Sequence, residues 1–379
     1  MRYINLAGYI AIPLAFLVHF VLGKGKEWEP TATFILASLG VIPLAHLMGE
    51  STEHLSERTG PTLGGLLNAT FGNAAELIIA IIALTKGLNE IVKASLTGSI
   101  LGNLLLVAGA AMVAGGWGRE KQKFNRANAE SSAGLLLLAV AAMLFPAIFH
   151  FTYKSVDPHL AEHEHGVSIW TSIILLVVYG LGLLFTLKTH AHVFSAKPVH
   201  SEEEPYGLEA HETWSVKRSV TMLILAAAGV GLVAELLVGS AEQMALKLGW
   251  NHVFVGVIVL AIIGNAAEHS TAIIVARKND MDTAMTITNQ SSLQIALFVT
   301  PFLVLLSAVF VAMGMKGAHH LDLLFTPMEV VAVLLAVLIV AILGMDGQTN
   351  WFEGALLLAL YAVLAIAFFY IPSEVTPAH

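Results

Sequence analysis

Cysteine is absent from this 379-residue chain, which excludes a disulfide framework, a thiolate metal centre and a thiol nucleophile. Charge is scarce too. Only 12% of the residues are Asp, Glu, Lys or Arg, about half the share of a soluble globular domain. The net charge of −8 argues against nucleic acid as a partner. In place of charge the chain has apolar residues, 56% of the total, with a mean hydropathy of +0.77. A helix needs roughly 20 apolar residues to cross the hydrocarbon of a bilayer, and such stretches recur here between short polar joints. The expected fold is an all-α polytopic membrane protein, with the lipid bilayer as its main solvent.

Hydrophobic length and polar breaks place eleven spans near residues 5–23, 31–57, 61–86, 89–116, 131–151, 167–188, 215–242, 251–277, 281–314, 323–344 and 351–371. The first apolar stretch, Asn5 to Leu22, exceeds a signal-peptide core and lacks a small-residue cleavage site, so it reads as a retained helix. Eleven crossings put the termini on opposite sides. An internal N-terminus places Arg2, Arg58, Arg119, Lys121, Lys123, Arg126, Lys188, Lys197, Lys217, Arg218, Arg277 and Lys278 in the cytoplasm, 12 of the 19 basic residues. Lys24, Lys26, Lys86, Lys93, Lys154, Lys247 and Lys316 lie outside or near that interface. The positive-inside rule then favours a cytoplasmic N-terminus and an external C-terminus, in a cell (inner) membrane or an organellar one.

Two connections stand out. "YKSVDPHLAEHEHG" (153–166) gathers His159, His163 and His165 on the external side, where a solvated loop outweighs a divalent-ion site. "HSEEEPYGLEAHE" (200–212) is acidic and cytoplasmic, and suits either a plain linker or a cation-attracting segment.

The chain also repeats itself. Gly72, Asn73, Ala74, Ala75 and Glu76 recur as Gly264, Asn265, Ala266, Ala267 and Glu268, an offset of 192 (264 − 72) that also pairs Ser99 with Ser291. Upstream, an offset of 189 pairs Glu53 with Glu242 and Gly60 with Gly249. The organisation expected is a peripheral first helix (1–30), a five-helix repeat (31–188), an acidic cytoplasmic linker (189–214) and a second five-helix repeat (215–379). Five is odd, so the second half enters the membrane from the opposite face. Inverted repeats with Gly-interrupted helices are a transporter architecture, with the ion site near the midplane where the halves meet. Glu76 and Glu268 should face one another there.

A charged side chain at the bilayer centre costs about 2.5–3.5 kcal/mol on the insertion scale, which makes a symmetric pair of glutamates a functional site by default. The bland alternative is two neutral carboxyls hydrogen-bonded to neighbouring helices. Gly72 and Gly264 loosen the helices so that backbone carbonyls can turn inward, while Asn73, Asn265, Ser99, Ser291 and Gln294 offer neutral oxygens. An all-oxygen set suits calcium, which takes six to eight oxygens in a flexible shell; magnesium wants tighter octahedral order. A transition metal would favour imidazole. His269 alone adjoins the pair, and on a helix it points about 100° away from Glu268. Two carboxylates facing each other in low dielectric cannot both stay ionised comfortably, so a divalent cation and protons compete for them. That competition is antiport.

An access route is expected along His46, Glu50, Glu53 and Glu57, whose spacings of four, three and four share one helical face. Glu57 reads as a solvated helix end. In the other half Glu235 and Glu242, seven apart, form a shorter stripe.

"IPLAHLMGESTE" (42–53), "GGLLNATFGNAAELIIA" (64–80), "GSILGNLLLV" (98–107), "GNAAEHSTAI" (264–273) and "SSLQIALFVTP" (291–301) together resemble the calcium/proton antiporters of the cation/proton exchanger family, within the calcium/cation antiporter superfamily. The resemblance covers nearly the whole chain. It implies eleven helices, the first peripheral and the other ten in two five-helix halves joined by an acidic cytoplasmic segment, and calcium driven out of the cytosol by protons moving inward. By position it makes Glu76 and Glu268 the exchange carboxylates, with backbone oxygens around Gly72, Asn73, Gly264 and Asn265. Ser99, Ser291 and Gln294 would shape the site, and Glu53 and His269 would line the pathways. The counterpart of Asn103 is Ile295, so the halves differ there.

A sodium/calcium exchanger of the same superfamily would want further neutral oxygens where the second half has Ile295 and Ala296. Manganese or another divalent ion stays open as an additional substrate. No HExxH is present and "EHEHG" falls in a predicted external loop, which argues against an intramembrane metalloenzyme. A passive channel could also use an acidic pair as a filter. Calcium and protons are thus expected as transported ions, with no cofactor.

Overall fold

Inside hydrocarbon every backbone N–H and C=O must find a partner within the protein, and apolar runs of this length meet that demand as helices. The computed structural model describes residues 2–191, 214–315 and 317–372. In chain order these form α1 (Asn5–Leu22), α2 (Glu29–Thr59), α3 (Pro61–Phe71), α4 (Ala74–Thr85), α5 (Asn89–Gly116), α6 (Arg126–Tyr153) and α7 (Leu160–Thr189). The second half supplies α8 (Val216–Leu248), α9 (His252–Gly264), α10 (Ala266–Arg277), α11 (Met281–Ala312), α12 (Pro327–Gly344) and α13 (Trp351–Phe369). α3 with α4, and α9 with α10, each make one span bent by 40° and 60° respectively, which brings the described residues to as many as eleven crossings.

Several ends differ from expectation. α7 begins at Leu160, so His163 and His165 sit on its first turns and not in a loop. Just before it, Asp157 accepts hydrogen bonds from the His159 backbone N–H and the His163 ring and so braces the first turn. α8 runs on to Leu248, where Gly249 closes it in a left-handed conformation, so Glu242 lies inside the helix and not at its end. α12 starts at Pro327, later than residue 323, because Thr326 and Glu329 form a capping box. The acidic linker falls, from 192 to 213, outside the described residues, as do Lys197 and Lys316.

Burial orders the helices. In α5, 83% of the apolar window is buried, against 17% for α1 and α7, so α5 is the centre and the other two line the lipid boundary. α1 rests on α2 through Ala11 and Ala15 and is otherwise peripheral. α2 and α8, the long first helices of the two halves, pack along each other over their length. The repeat is visible in the backbone. Gly87 (φ 73°) and its counterpart Asn279 (φ 68°) both follow the second part of a bent span in left-handed conformations, and Gly60 (φ 84°) matches Gly249 (φ 68°). Asn279 is the only described non-glycine residue with positive φ, which its short amide side chain tolerates.

The connections sort onto two faces, as alternating crossings require. On one face, Gln122 and Lys123 (β1) pair antiparallel with Gln348 and Thr349 (β2), joining the connection after α5 to the connection after α12. There Arg119 reaches the Arg277 carbonyl (3.3 Å), Gln122 reaches Asn279 (3.1 Å), and Asp282 accepts from the Asn125 backbone (2.7 Å). This basic face also holds Arg58, Lys121, Lys123, Lys217, Arg218 and Lys278. On the opposite face the connection after α11 meets the start of α7: the rings of His165 and His320 lie 4.0 Å apart, and Ser168 accepts from the Leu323 backbone at 3.0 Å. Burial, and after it the neighbouring His165, hold the His320 imidazole below its ordinary pKa of 6.5.

Lys93 is a second clamp on that face. Its side chain is buried, paired with Glu90 at 2.9 Å and Asp322 at 3.2 Å, and it donates to the Leu324 carbonyl at 3.0 Å. Removing one partner of a buried ion pair strands the other charge, at a cost of about 3–5 kcal/mol. Lys93→Met is therefore expected to lower the melting temperature in detergent markedly, and the double change Lys93→Met with Asp322→Asn to recover part of the loss. Thermal unfolding of the two variants checks this.

Candidate functional site

Both bends fall where the repeat predicts. Asn73 (φ −103°, ψ 31°) and Asn265 (φ −94°, ψ 7°) leave helical geometry, and α4 and α10 restart immediately after them. Glu76 and Glu268 therefore sit in the first turns of new helices, where unpaired backbone N–H groups and the helix dipole favour negative charge. A half-helix beginning at mid-membrane is a ready ion site. Glu76 reaches across to the break of the other half, four residues before Glu268. Gly264 makes room for this: a Cβ there would lie 3.5 Å from Glu76 Cγ and 3.7 Å from Oε1.

Around the pair runs a directed chain of hydrogen bonds crossing between the halves. Asn103 Nδ2 donates to Ser291 Oγ (2.8 Å), Ser291 donates to Asn73 Oδ1 (2.8 Å), and Asn73 Nδ2 donates to Gln294 Oε1 (2.6 Å). The Gln294 amide lies against Gly72, where a Cβ would stand 3.1 Å from its oxygen. Ser291 is also within reach of Glu268. In the other half Asn265 Nδ2 donates to Ser99 Oγ and to the Ala261 carbonyl, each at 2.9 Å, and the chain stops there. Ile295 stands where Asn103 has its counterpart, which is the inequality of the halves seen in the sequence.

Three acceptor oxygens are left over. Glu268 Oε2, Asn265 Oδ1 and Asn103 Oδ1 are buried with no hydrogen-bond donor. A buried unpaired acceptor costs about 1–3 kcal/mol, more when charged, so this set is suited to a cation. Among the described residues no group of three or more His, Cys, Asp or Glu side chains is placed to hold a metal. What gathers around the breaks is two carboxylates with neutral amide and hydroxyl oxygens, a hard-oxygen environment of the kind calcium accepts. His269 stays out of it, its Nε2 buried, unpartnered and directed toward Gly102.

Exposure shows which way the site opens. On the basic face Gly49, Asn68 and Thr271 are exposed within their helices. Their repeat counterparts Val238, Leu260 and Ile79 are 1%, 4% and 7% exposed. The polar members suit water better than lipid, which is consistent with an aqueous vestibule on the basic face. On the opposite face α5 and α9 cross with backbones in contact: a Cβ at Gly98 would strike the Val257 carbonyl, and one at Gly256 would strike Ala94. The equivalent pair, α11 and α3, scarcely touches. Gln290, the counterpart of Gly98, lines a small, largely apolar cavity of about 30 Å³ instead. These features are those of a structure open to the basic face and closed on the other.

The predicted pathway residues divide accordingly. Glu53 and Glu57 are exposed at the open mouth, His46 and Glu50 are half-buried behind them, and His54 stands 4.0 Å from Glu50 and 3.7 Å from Glu57. The stacking of His54 on Trp214 (4.8 Å), with Arg218 over the other indole contact at 4.3 Å, was not foreseeable from the stripe alone, because Trp214 lies across the linker. On the sealed face Glu242 is exposed. Glu235 is not a free carboxylate, since Lys86 holds it at 2.7 Å. Neither Lys86 nor Asn103 was singled out as a site residue by its sequence setting; the offset of 192 that pairs Lys86 with Lys278 was the available signal.

The sodium/calcium exchanger protein family matches residues 29–188 and 218–370. Over 372 residues the chain is 45% identical to the Ca(2+)/H(+) antiporter of Synechocystis sp., covering 96% of each. It is 43% identical to the Ca(2+)/H(+) antiporter ChaA of Bacillus subtilis, covering 92% of this chain and 95% of that one. The solved structure of native YfkE superposes with a TM-score of 0.77 at 40% identity, over 96% of this chain and 100% of that one.

The vestibule has a direct reading in a chain without native cysteine. Asn68→Cys and Thr271→Cys are expected to react rapidly with a polar maleimide, and Leu260→Cys and Ile79→Cys slowly. Labelling rates in lipid nanodiscs measure the contrast.

Proposed function

This chain belongs to the sodium/calcium exchanger protein family, and on that premise we propose that it is a secondary active transporter exchanging calcium for protons by alternating access, as its relatives' names describe for them. It is an integral membrane protein and not an enzyme. The observation that carries the exchange site is the reach of Glu76 across to the other half's break, four residues before Glu268, beside buried oxygens that lack donors.

Calcium entering from the vestibule satisfies both carboxylates and the orphaned amide oxygens at once. Protons satisfy the carboxylates alone. Either occupant cancels the charge that would otherwise resist crossing hydrocarbon, whereas the empty, ionised pair does not move. Metal and protons therefore take turns, and a gradient of one drives the other. Glu50 and Glu53 serve the approach from the basic face, Glu242 the exit, and His269 a position beside the site without ligating. Ser99, Ser291 and Gln294 hold the asparagines at the two breaks.

The basic face is assigned to the cytoplasm by its surplus of Lys and Arg, which puts the N-terminus inside, the C-terminus outside and the vestibule open to the cytosol in a cell (inner) membrane. Sodium as the counter-ion is disfavoured by Ile295 and Ala296, both buried beside Ser291 and without a side-chain oxygen to offer.

Reconstitution in sealed liposomes, with a proton gradient, a clamped membrane potential and radioactive calcium, tests the reading. Calcium should move uphill without sodium; movement that needs a sodium gradient would reassign the counter-ion, and purely downhill movement would indicate a channel. Glu76→Gln and Glu268→Gln are each expected to abolish exchange, and full transport by either would remove the two-carboxylate mechanism. Apparent calcium affinity should rise with pH, because each proton lost frees a ligand oxygen. An affinity flat from acid to alkaline pH, read by calcium titration, would contradict the competition.

A further inference from the structure

Lys86 closes the first half's bent span and reaches across to the second half. Its Nζ lies 2.7 Å from Glu235 Oε1 and 3.2 Å from the Glu235 carbonyl, tying the end of α4 to α8 on the sealed face. Gly239, one turn further along α8, leaves the space: a Cβ there would stand 3.1 Å from the ammonium. The lysine thus rests between two positions four residues apart, and only the first carries a carboxylate.

The repeat supplies the same parts with the carboxylate moved. An offset of 192 takes Lys86 to Lys278, which likewise follows the second part of a bent span and precedes a left-handed residue, Asn279. An offset of 189 takes Glu235 to His46 and Gly239 to Glu50. Lys278 makes no ion pair among the described residues, and the Glu50 side chain is 42% exposed, with the His54 ring 4.0 Å away and Tyr9 also near it. α4 lies closely along α8, whereas α10 touches α2 much less. That difference is the one expected if the two halves hold opposite conformations of one unit.

We infer that Lys86 and Glu235 are gate residues that hold the site closed on this face, and that Lys278 and Glu50 form the opposite gate when the halves exchange conformations. In an inverted repeat the other state is reached by each half adopting its partner's arrangement. α10 then lies along α2, and Lys278 comes to rest between residues 46 and 50. His46 offers no anion at neutral pH, so the ammonium takes Glu50. Each lysine alternately pairs and releases, and Glu50 has two roles: approach residue while the mouth is open and latch while it is shut. The inference rests on the alternating-access reading of the protein but not on which ions it carries.

The test uses the cysteine-free background and needs no transport. Leu260→Cys reports opening of the sealed face and Asn68→Cys reports the vestibule. Partly exposed ion pairs contribute little each, so Glu235→Gln or Lys86→Met is expected to raise labelling at Leu260→Cys and lower it at Asn68→Cys by roughly two- to fivefold. Glu50→Gln should do the reverse. The exchanged pair Lys86→Glu with Glu235→Lys should restore the parent rates, which a merely structural loss would not. Unchanged rates in Glu235→Gln, or an exchanged pair that melts normally yet labels like the single variants, would overturn the outer gate; an unchanged response to Glu50→Gln would overturn the inner one. If calcium flux proved independent of protons, these rates would still decide the gates.

Discussion

Two carboxylates that repel one another inside a hydrocarbon slab need compensation from every direction, and most of this architecture supplies it. Each glutamate stands at the start of a helix, where free N–H groups and the helix dipole face it. That requires each span to break at its midpoint, and the break requires a residue that can leave helical geometry there, Asn73 in one half and Asn265 in the other. The asparagines in turn need partners for their amides, which come from Gln294 and Ser99 on the spans that follow the bent ones in the opposite half. Charge, breaks, amides and crossings form one dependent series. What the protein leaves uncompensated is a set of oxygens, and in the proposed mechanism these are the ones the transported ion satisfies.

The repeat makes the two halves alike in path and unlike in detail. Both bent spans end in a lysine and a left-handed residue, and both break at an asparagine. Yet the hydrogen-bond chain has four members on one side and stops at a serine on the other, because Asn103 and Gln294 have Ile295 and Gly102 as counterparts. The closest backbone crossing, Gly98 with Gly256, has Gln290 and Gly64 as its mates. A glutamine cannot let two backbones touch as a glycine can, so the seal on the basic face must form with a different interface from the one seen here. The two states need not be equally stable, and nothing in the sequence pattern makes them so.

Much of this was legible in the amino-acid order. Hydrophobic length located the eleven crossings because a bilayer imposes one length on every helix, and the repeated GNAAE marked both breaks and both carboxylates. Helix ends were less legible. They depend on side-chain caps such as the Thr326–Glu329 box, which outrank the hydrophobic pattern. Asn103 was visible only as a mismatch with Ile295, since its partner Ser291 is 188 residues away and enters by tertiary packing. Glu235 looked like part of an ion path because sequence shows a stripe and hides what comes from another helix to meet it. Lys86 was masked by its setting, as a lysine at a membrane boundary is usually no more than an anchor.

The β1–β2 ladder fastens the connection after α5 to the connection after α12, and the contacts of His165 with His320 and of Ser168 with Leu323 fasten their inverted equivalents on the far side. The same joint is thus riveted at both ends by different chemistry. Only α6 and α12 border a joint at both rims, and the two pack along each other in between. Neither can tilt without straining a fastening at one end or the other, so any rearrangement of the protein has to turn around this pair.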